Sequence, residues 1–288
     1  MMETILVTGS DGFIGRHLVS ALTRQGYTVA RHTRRNGDIA HAPLTYEGVT
    51  HVFHLAARTF VPESWTDPRA FYETNVMGTV NILEFCRRQR ASLTLLSSYV
   101  YGRPQQLPVS EQHPLRAFNP YAHSKILAEE AARYYAEQFG VTVAIVRPFN
   151  VYGPGQSDQF LIPSLVRQAL SPDCDRITIQ DPRPRRDYLF VTDLTEMLLS
   201  LAKQRPSDTY NAGAGQSVSI QELVDVINSF LPVRKHVSST GVARQEEVLD
   251  VVADVRKAWE RLHWKPVISL KAGLKQMIDA LAPAAQEL

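Results

Sequence analysis

Apolar positions along this chain follow two alternating spacings. Ile5 to Thr8 is a short β-branched run that meets Gly9, and a helical spacing follows, with Phe13, Ile14, Leu18, Val19 and Leu22 apolar. Gly26 ends that helix, and Tyr27 to Ala30 reads as a second strand. Residues 50–57 read as a third strand and residues 70–90 as a long helix, with Val76, Val80, Ile82 and Leu83 inward. Residues 92–98 form the next strand, 121–139 a long helix closed by Gly140, and 141–148 a strand stopped by Pro148. Strands that are apolar on both faces and alternate with long helices predict an α/β fold, a parallel sheet covered by helices on each side.

The pattern changes after Pro154. Residues 160–170 look helical, and 171–187 are rich in Pro, Asp and Arg around a short strand, Ile177 to Ile179. Residues 191–203 form an amphipathic helix with Thr192 or Asp193 as its cap. Residues 217–231 give another helix, with Ser219 and Glu222 spaced as a capping box. A strand-like stretch at 248–252 and two helices follow, and 282–288 reads as a frayed tail. The expected organisation is a cofactor domain over residues 1–155 and a smaller substrate domain over 156–288, with elements near 188–213 packing back on the first.

Composition narrows the function classes. Lys and Arg total 31 against 29 acidic residues, and a net charge of +2 gives a nucleic-acid partner no support. Arg183, Arg185 and Arg186 are locally dense, which suits one anionic ligand. Cys86 and Cys174 lie far apart and form neither a metal spacing nor a disulfide framework. Cys86 falls in an apolar helical pattern as a small buried hydrophobe. His51 and His54 bracket a strand without a metal pattern and read as packing residues. No metal is therefore expected. No run reaches transmembrane length and no leader pattern opens the chain, so the expected location is cytoplasmic, away from membranes.

The turn Gly9-x-x-Gly12-x-x-Gly15 follows a strand at the start of a βα alternation, the context a dinucleotide requires. The helix N-terminus behind it offers free N–H groups to a pyrophosphate. An acid is expected at the end of the second strand to accept the ribose hydroxyls of NAD. Arg31-His32-Thr33-Arg34-Arg35 stands there instead, and arginines suit a 2′-phosphate, which favours NADP(H) over NAD(H). Asp38 is close enough to serve the adenine or ribose in their place.

Tyr121 and Lys125 stand one helical turn apart just after Pro120. A free phenol titrates near 10 and is a poor base at neutral pH; a nearby ammonium stabilises its ionised form. A hydroxyl at the end of the preceding strand, Ser97 or Ser98, completes a group that can move a proton at a carbinol or ketone.

Eight segments in order carry a family resemblance: TGSDGFIG (8–15), HLAA (54–57), NVMGTVNILEF (75–85), SSYVYG (97–102), PYAHSK (120–125), RPFNVYGPGQ (147–156), RRDYLFVTDL (185–194) and YNAGAGQSVSI (210–220). The chain resembles an extended short-chain dehydrogenase/reductase of the NAD-dependent epimerase/dehydratase type. The resemblance implies a Rossmann-type doubly wound parallel sheet with a smaller C-terminal α/β substrate domain. It implies that Tyr121 shuttles a proton at the substrate O4, that Lys125 lowers its pKa and holds ribose, and that a hydroxyl orients the oxygen. Counting back from Tyr101-Gly102 selects Ser97, with Ser98 beside it. Asp11, Gly12, Phe13 and Ile14 would line the pyrophosphate turn, Leu55, Ala56 and Ala57 pass beneath the cofactor, and Pro148 lie near the nicotinamide. Ser98, Asn150 and Arg186 would meet a nucleotide-diphosphate sugar, a diphosphate suiting a guanidinium fork.

The family's 4,6-dehydratases place an Asp-Glu pair after the catalytic Ser/Thr; here Ser98 and Tyr99 occupy those positions. Reduction of a 4-keto-6-deoxyhexose and epimerisation at C4 remain, and the arginines after the second strand favour the reductase. The stretches 59–68 and 119–140 also resemble GDP-sugar dehydratases and reductases. A dinucleotide-binding regulator without turnover would be expected to lack the tyrosine or the lysine. Asn75 reads evenly as structural or catalytic, and Trp259 and Trp264 as core of the small domain. The helices at 75–90 and 121–138 resemble those that pair two subunits into a four-helix interface, with Ala128, Ala131 and Ala132 allowing close approach; a homodimer is expected.

Overall fold

β-branched and aliphatic residues concentrate in short runs, and these become the inner strands of a sheet with helices on both faces. The computed structural model describes residues 3–242 and 248–285. Its first half runs β1 (Thr4–Thr8), α1 (Phe13–Arg24), β2 (Thr28–His32), β3 (Val49–His54), α2 (Val61–Thr66), α3 (Pro68–Tyr72), α4 (Gly78–Gln89), β4 (Ser92–Leu96), α5 (Pro120–Phe139) and β5 (Val143–Pro148). The second half runs β6 (Asn150–Tyr152), α6 (Leu161–Leu170), β7 (Arg176–Ile179), β8 (Arg185–Phe190), α7 (Val191–Gln204), β9 (Thr209–Ala212), β10 (Ser217–Ser219), α8 (Ile220–Asn228), β11 (His236–Ser239), α9 (Arg256–Leu262) and α10 (Leu270–Ala285).

The main sheet has the order β2-β1-β3-β4-β5-β9, with every neighbour parallel. The chain winds outward in both directions from β1, so the order reverses beside it. In such sheets the crevice at the carboxyl ends of the strands near that reversal is the ligand site. Period-two alternation sends Ile5 and Val7 to one face with α1 and α7, and Leu6 to the other with α4 and α5. Fully burying one aliphatic side chain stabilises by about 1.5–3 kcal/mol, which is why these runs set the layers. A three-stranded sheet, β10-β8-β6, and a two-stranded one, β11-β7, carry a separate core under α6, α8 and α10.

Several expectations are corrected. The long helix at 70–90 starts at Pro68, where Asp67 accepts a hydrogen bond from the Ala70 N–H, and contains a π turn over Glu73–Met77. The wider turn advances the helical phase, so Ile82, Leu83, Phe85 and Cys86 are buried while Val76 and Val80 are only half-buried. Neither Thr192 nor Asp193 caps α7: Phe190 holds that position, and the Asp193 carboxylate accepts from the Val267 and Ile268 N–H groups. The 248–252 stretch is extended but is no strand; its Leu249 and Val252 carbonyls accept from Arg185 and Val109. Trp264 is core of the main sheet, donating to the Asp193 carbonyl, and Trp259 is 50% exposed. Ala128 and Ala132 are fully buried beneath the sheet and serve the subunit core, whereas Ala131 beside them is half-buried. Of the expected frayed tail, residues up to Ala285 are helical and 286–288 lie outside the described residues.

Candidate active site

The glycine turn is built for close approach. Gly9 has φ +64°, and a Cβ there would stand 2.8 Å from the Ala56 nitrogen; one on Gly15 would stand 2.1 Å from the Gly9 carbonyl oxygen. The turn is therefore pinned between α1 and the Leu55-Ala56-Ala57 segment. Thr8 Oγ1 fixes that segment by accepting from the Ala56 N–H and pairing with His54 Nδ1 at 2.8 Å. Gly12 ends α1 without a side-chain cap, and Asp11 and Gly12 are exposed with Phe13 and Ile14 half-buried, so first-turn N–H groups remain for an anion. Arg16 and His17 bond the carbonyls of Gly155 and Pro154, tying the 153–156 loop to the same helix.

Beyond β2, Thr33 and Asn36 form a reciprocal cap that shapes a tight turn, and the Arg34 and Arg35 side chains are exposed. Asp38 is engaged locally: its carboxylate accepts from the Ala40 N–H and lies 3.8 Å from His41 Nδ1.

α5 opens at Asn119, whose side chain accepts from the Ala122 N–H, followed by Pro120 at the first helical position. This puts Tyr121 in the first turn and Lys125 one turn later. Lys125 is 3% exposed and its Nζ donates to the Leu96 carbonyl at 2.6 Å, at the end of β4. Burial brings its ammonium down to about 8, against an opposing pull from Glu129. Burial raises the Tyr121 phenol above its ordinary value, and the Ser98 hydroxyl opposes this. In the protein alone, desolvation works against an ionised Tyr121 and against an ionised Lys125 alike.

Consecutive residues leaving β4 point opposite ways. Ser98 lies against Tyr121, whereas Ser97 turns toward the Glu129 carboxylate. Neither contact has the geometry of a made hydrogen bond, and both hydroxyl oxygens are buried without a partner. Orphaned hydroxyls beside a buried phenol fit a ligand oxygen that completes them.

At the far side of the site, Asn150 on β6 donates to the Asp187 carbonyl on β8, next to Arg186. Arg186 donates to the Arg185 and Val248 carbonyls and acts electrostatically on the Tyr99 phenol. Arg183 and Arg185 are committed to Asp181 and Glu222, and of the three clustered arginines Arg186 is the one that acts on Tyr99. Asp187 is fully buried and accepts from the Ala214, Gly215 and Ala253 N–H groups. Pro148 is buried at the end of β5. The described residues contain no group of three His, Cys, Asp or Glu side chains able to hold a metal, and no helix among them is long and apolar enough to cross a membrane.

Residues 5–213 match the model of the NAD dependent epimerase/dehydratase family. The chain belongs to that family. It is an NAD(P)-dependent enzyme of the extended short-chain dehydrogenase/reductase type, with the Rossmann-type fold of those enzymes. A Methanocaldococcus jannaschii protein provisionally named a UDP-glucose 4-epimerase is 32% identical, over 96% of this chain and 97% of its own. The GDP-6-deoxy-D-mannose reductase of Pseudomonas aeruginosa is also 32% identical, over 97% of each chain. Among solved structures, MoeE5 in complex with UDP-glucuronic acid and NAD superposes with a TM-score of 0.90 at 31% identity, over 98% of this chain and 99% of that one. RMD from Pseudomonas aeruginosa complexed with NADPH also gives 0.90, at 29% identity over 99% of each.

In this family member the structure adds residues that spacing did not reveal. Glu129 is fully buried and receives Arg147 Nε at 3.0 Å, Arg147 Nη2 at 2.6 Å and Arg133 Nη1 at 3.0 Å. Arg147 also donates to the Tyr101 hydroxyl, which bonds Asn211 at 2.5 Å. The one available signal was periodic: Tyr121, Lys125 and Glu129 repeat every four residues. The Asn75 side chain accepts from the Arg58 N–H and donates to the Arg58 carbonyl and Ser124 Oγ, which braces α5. His51 and His54 are buried and bond strand hydroxyls, and burial pushes both imidazoles down to about 3.

Proposed function

We propose that this chain reduces the C4 ketone of a nucleotide-diphosphate 4-keto-6-deoxyhexose with NADPH. The cofactor, when bound, supplies the hydride that becomes the C4 hydrogen. The chain's own part is acid catalysis and orientation. Tyr121 gives its phenolic proton to O4 and regains one from solvent, while Ser98 aligns that oxygen. Lys125 holds the ribose, and Gly9, Asp11, Gly12, Phe13, Ile14 and Gly15 receive the pyrophosphate. Asn150 and Arg186 receive the sugar-nucleotide diphosphate.

The observation that carries the reading is the turn after β2. Two exposed arginines, Arg34 and Arg35, stand where a carboxylate would reject a 2′-phosphate, while Asp38 is engaged with its own loop. Ser98 and Tyr99 offer no carboxylate pair for dehydration, and the Tyr99 hydroxyl is committed to the Gly102 carbonyl.

Epimerisation at C4 is the second reading, favoured by the Methanocaldococcus relative and by the NAD bound to MoeE5. Denaturing release of cofactor from fresh protein separates the two. The reductase releases none and oxidises NADPH only with a 4-keto sugar; tightly retained NAD with interconversion of C4 epimers overturns it. Replacing Arg34 and Arg35 by Ala removes two charge-assisted contacts of about 1.5–3 kcal/mol each, so the KM for NADPH rises at least tenfold and that for NADH holds.

The proposal includes a homodimer. Tyr72, Val76, Met77 and Leu127 line a shallow apolar groove of about 550 Å³ on the surface of α3, the π turn that follows it and α5, and this surface is the partner face. Sedimentation of wild type against Met77→Glu tests it, with a monomeric wild type as the refuting result.

A further inference from the structure

Beneath Tyr121 and Lys125, α5 carries a third ionisable group on the same face, one turn further on. Glu129 is fully buried yet charged: burial works against its carboxylate, but the Arg147 guanidinium outweighs that and holds it below the usual range. Arg147 is 3% exposed and kept charged by the same pair. Arg133 reaches Glu129 from the half-exposed side.

The groups facing Lys125 from each packed element are few. From α5 come Tyr121, which keeps its proton, and Glu129. From β4 come the Leu96 carbonyl, at 2.6 Å, and Ser97. From β3 comes His54, neutral because burial and the nearby Lys125 push it down. From β5, Arg147 acts behind Glu129. The lysine has been taken out of water and given one carbonyl. The only negative charge among these groups is Glu129, which acts through space.

We propose that Glu129 is a positioning residue for the proton-transfer pair: its carboxylate, clamped by Arg147 and Arg133, is the counter-charge that keeps the Lys125 ammonium ionised under Tyr121. This rests on the reading of Tyr121 and Lys125 as the reacting pair, and it deepens that reading. Opposite charge at this range favours an ammonium, and desolvation disfavours it. Without the carboxylate, desolvation acts unopposed and Lys125 gives up its proton at a lower pH. Arg147 acts on Lys125 through Glu129, by holding that carboxylate ionised.

The test reads Lys125 directly and needs no sugar. Protein labelled with 13C-lysine is titrated by NMR, and the Lys125 Cε signal is assigned with Lys125→Met. Wild type is expected to have its midpoint at about 8. Glu129→Gln lowers the midpoint, and Arg147→Met, which lets burial act on the Glu129 carboxylate, lowers it as well. A merely structural ion pair, whose loss loosens the packing and lets water reach the lysine, raises the midpoint toward its ordinary value or leaves it in place. In the pH profile, Glu129→Gln loses kcat above neutrality and recovers it as pH falls, with Glu129→Asp restoring part of the wild-type profile. Midpoints that stay within the error of the titration, or that rise, overturn the proposal. Should Glu129→Gln fail to fold, the absence of a fall in Arg147→Met overturns it alone. Failure of the functional reading has a separate signature: no sugar is turned over while the lysine midpoints still shift.

Discussion

Gly15→Ala tests the glycine turn with a single methyl group. A Cβ at position 15 would lie 2.1 Å from the Gly9 oxygen, 2.9 Å from Ser10 Cα and 3.0 Å from the Gly9 carbonyl carbon. The first contact is about 1 Å short of any that real Cβ atoms make. All three atoms are backbone, so no side chain can rotate away. The turn cannot retreat either, because Gly9 already abuts Ala56 on its far side. Overpacking of this kind costs about 1–3 kcal/mol, against at most about 1 kcal/mol gained by replacing glycine in a helix. α1 or the turn must shift, and the N–H groups aimed at a pyrophosphate shift with it. For the wild type, cofactor at a hundred times its Kd stabilises by about 2.7 kcal/mol, a rise in Tm of about 4 °C for a chain of this length unfolding as one unit. Thermal denaturation with and without NADPH and NAD is the assay. We expect Gly15→Ala to melt lower and to lose the cofactor-induced rise. Gly78→Ala meets the Ile39 Cγ2 methyl at 2.8 Å, a side-chain atom that can yield, and serves as the stability comparison. A Gly15→Ala protein with wild-type Tm and a full cofactor response would refute the argument.

Tyr121→Phe removes the proton donor while keeping its edge contact with Phe71; kcat should drop by about 10²–10⁴ with cofactor binding retained, and unchanged turnover of any sugar would remove the tyrosine from the reaction. Ser98→Ala should lower kcat more than Ser97→Ala, since only Ser98 faces the phenol; the reverse order in steady-state kinetics would reinstate the position obtained by counting from Tyr101. Burial pushes the Asp187 carboxyl up to about 6, against three backbone N–H groups that favour its charge. Its folded value lies above the unfolded one, so its contribution is fully present below about 4 and is lost as pH rises through 6, by about 3 kcal/mol. Asp187→Asn should flatten that part of the urea-midpoint profile between pH 4 and 7; an unchanged difference between the two pH values would show that Asp187 does not titrate there.

Features that depend on neighbours in sequence were legible, and those that depend on distant partners were not. The glycine turn, the Tyr121–Lys125 spacing, the Asn119–Pro120 helix start and the Ser219–Glu222 box each act within a turn or two, so residue type and interval suffice. Which neighbours Ser97 and Ser98 face depends on how the chain leaving β4 directs each hydroxyl, which residue type and interval do not specify. Arg147 meets Glu129 across 18 residues, and Trp264 meets Asp193 across 71. No local pattern encodes either pairing.

The sequence alone determined the parallel α/β sheet, the dinucleotide turn and the phenol–ammonium pair, because hydrophobic period, missing side chains and helical pitch are properties of short segments. Only the folded chain decided that Ala128 and Ala132 face inward, that Arg147 meets Glu129, and that burial works against an ionised Tyr121 and an ionised Lys125. The physical reason is that desolvation and charge pairing are set by what surrounds a group from every side, and the surroundings exist only once distant segments have packed.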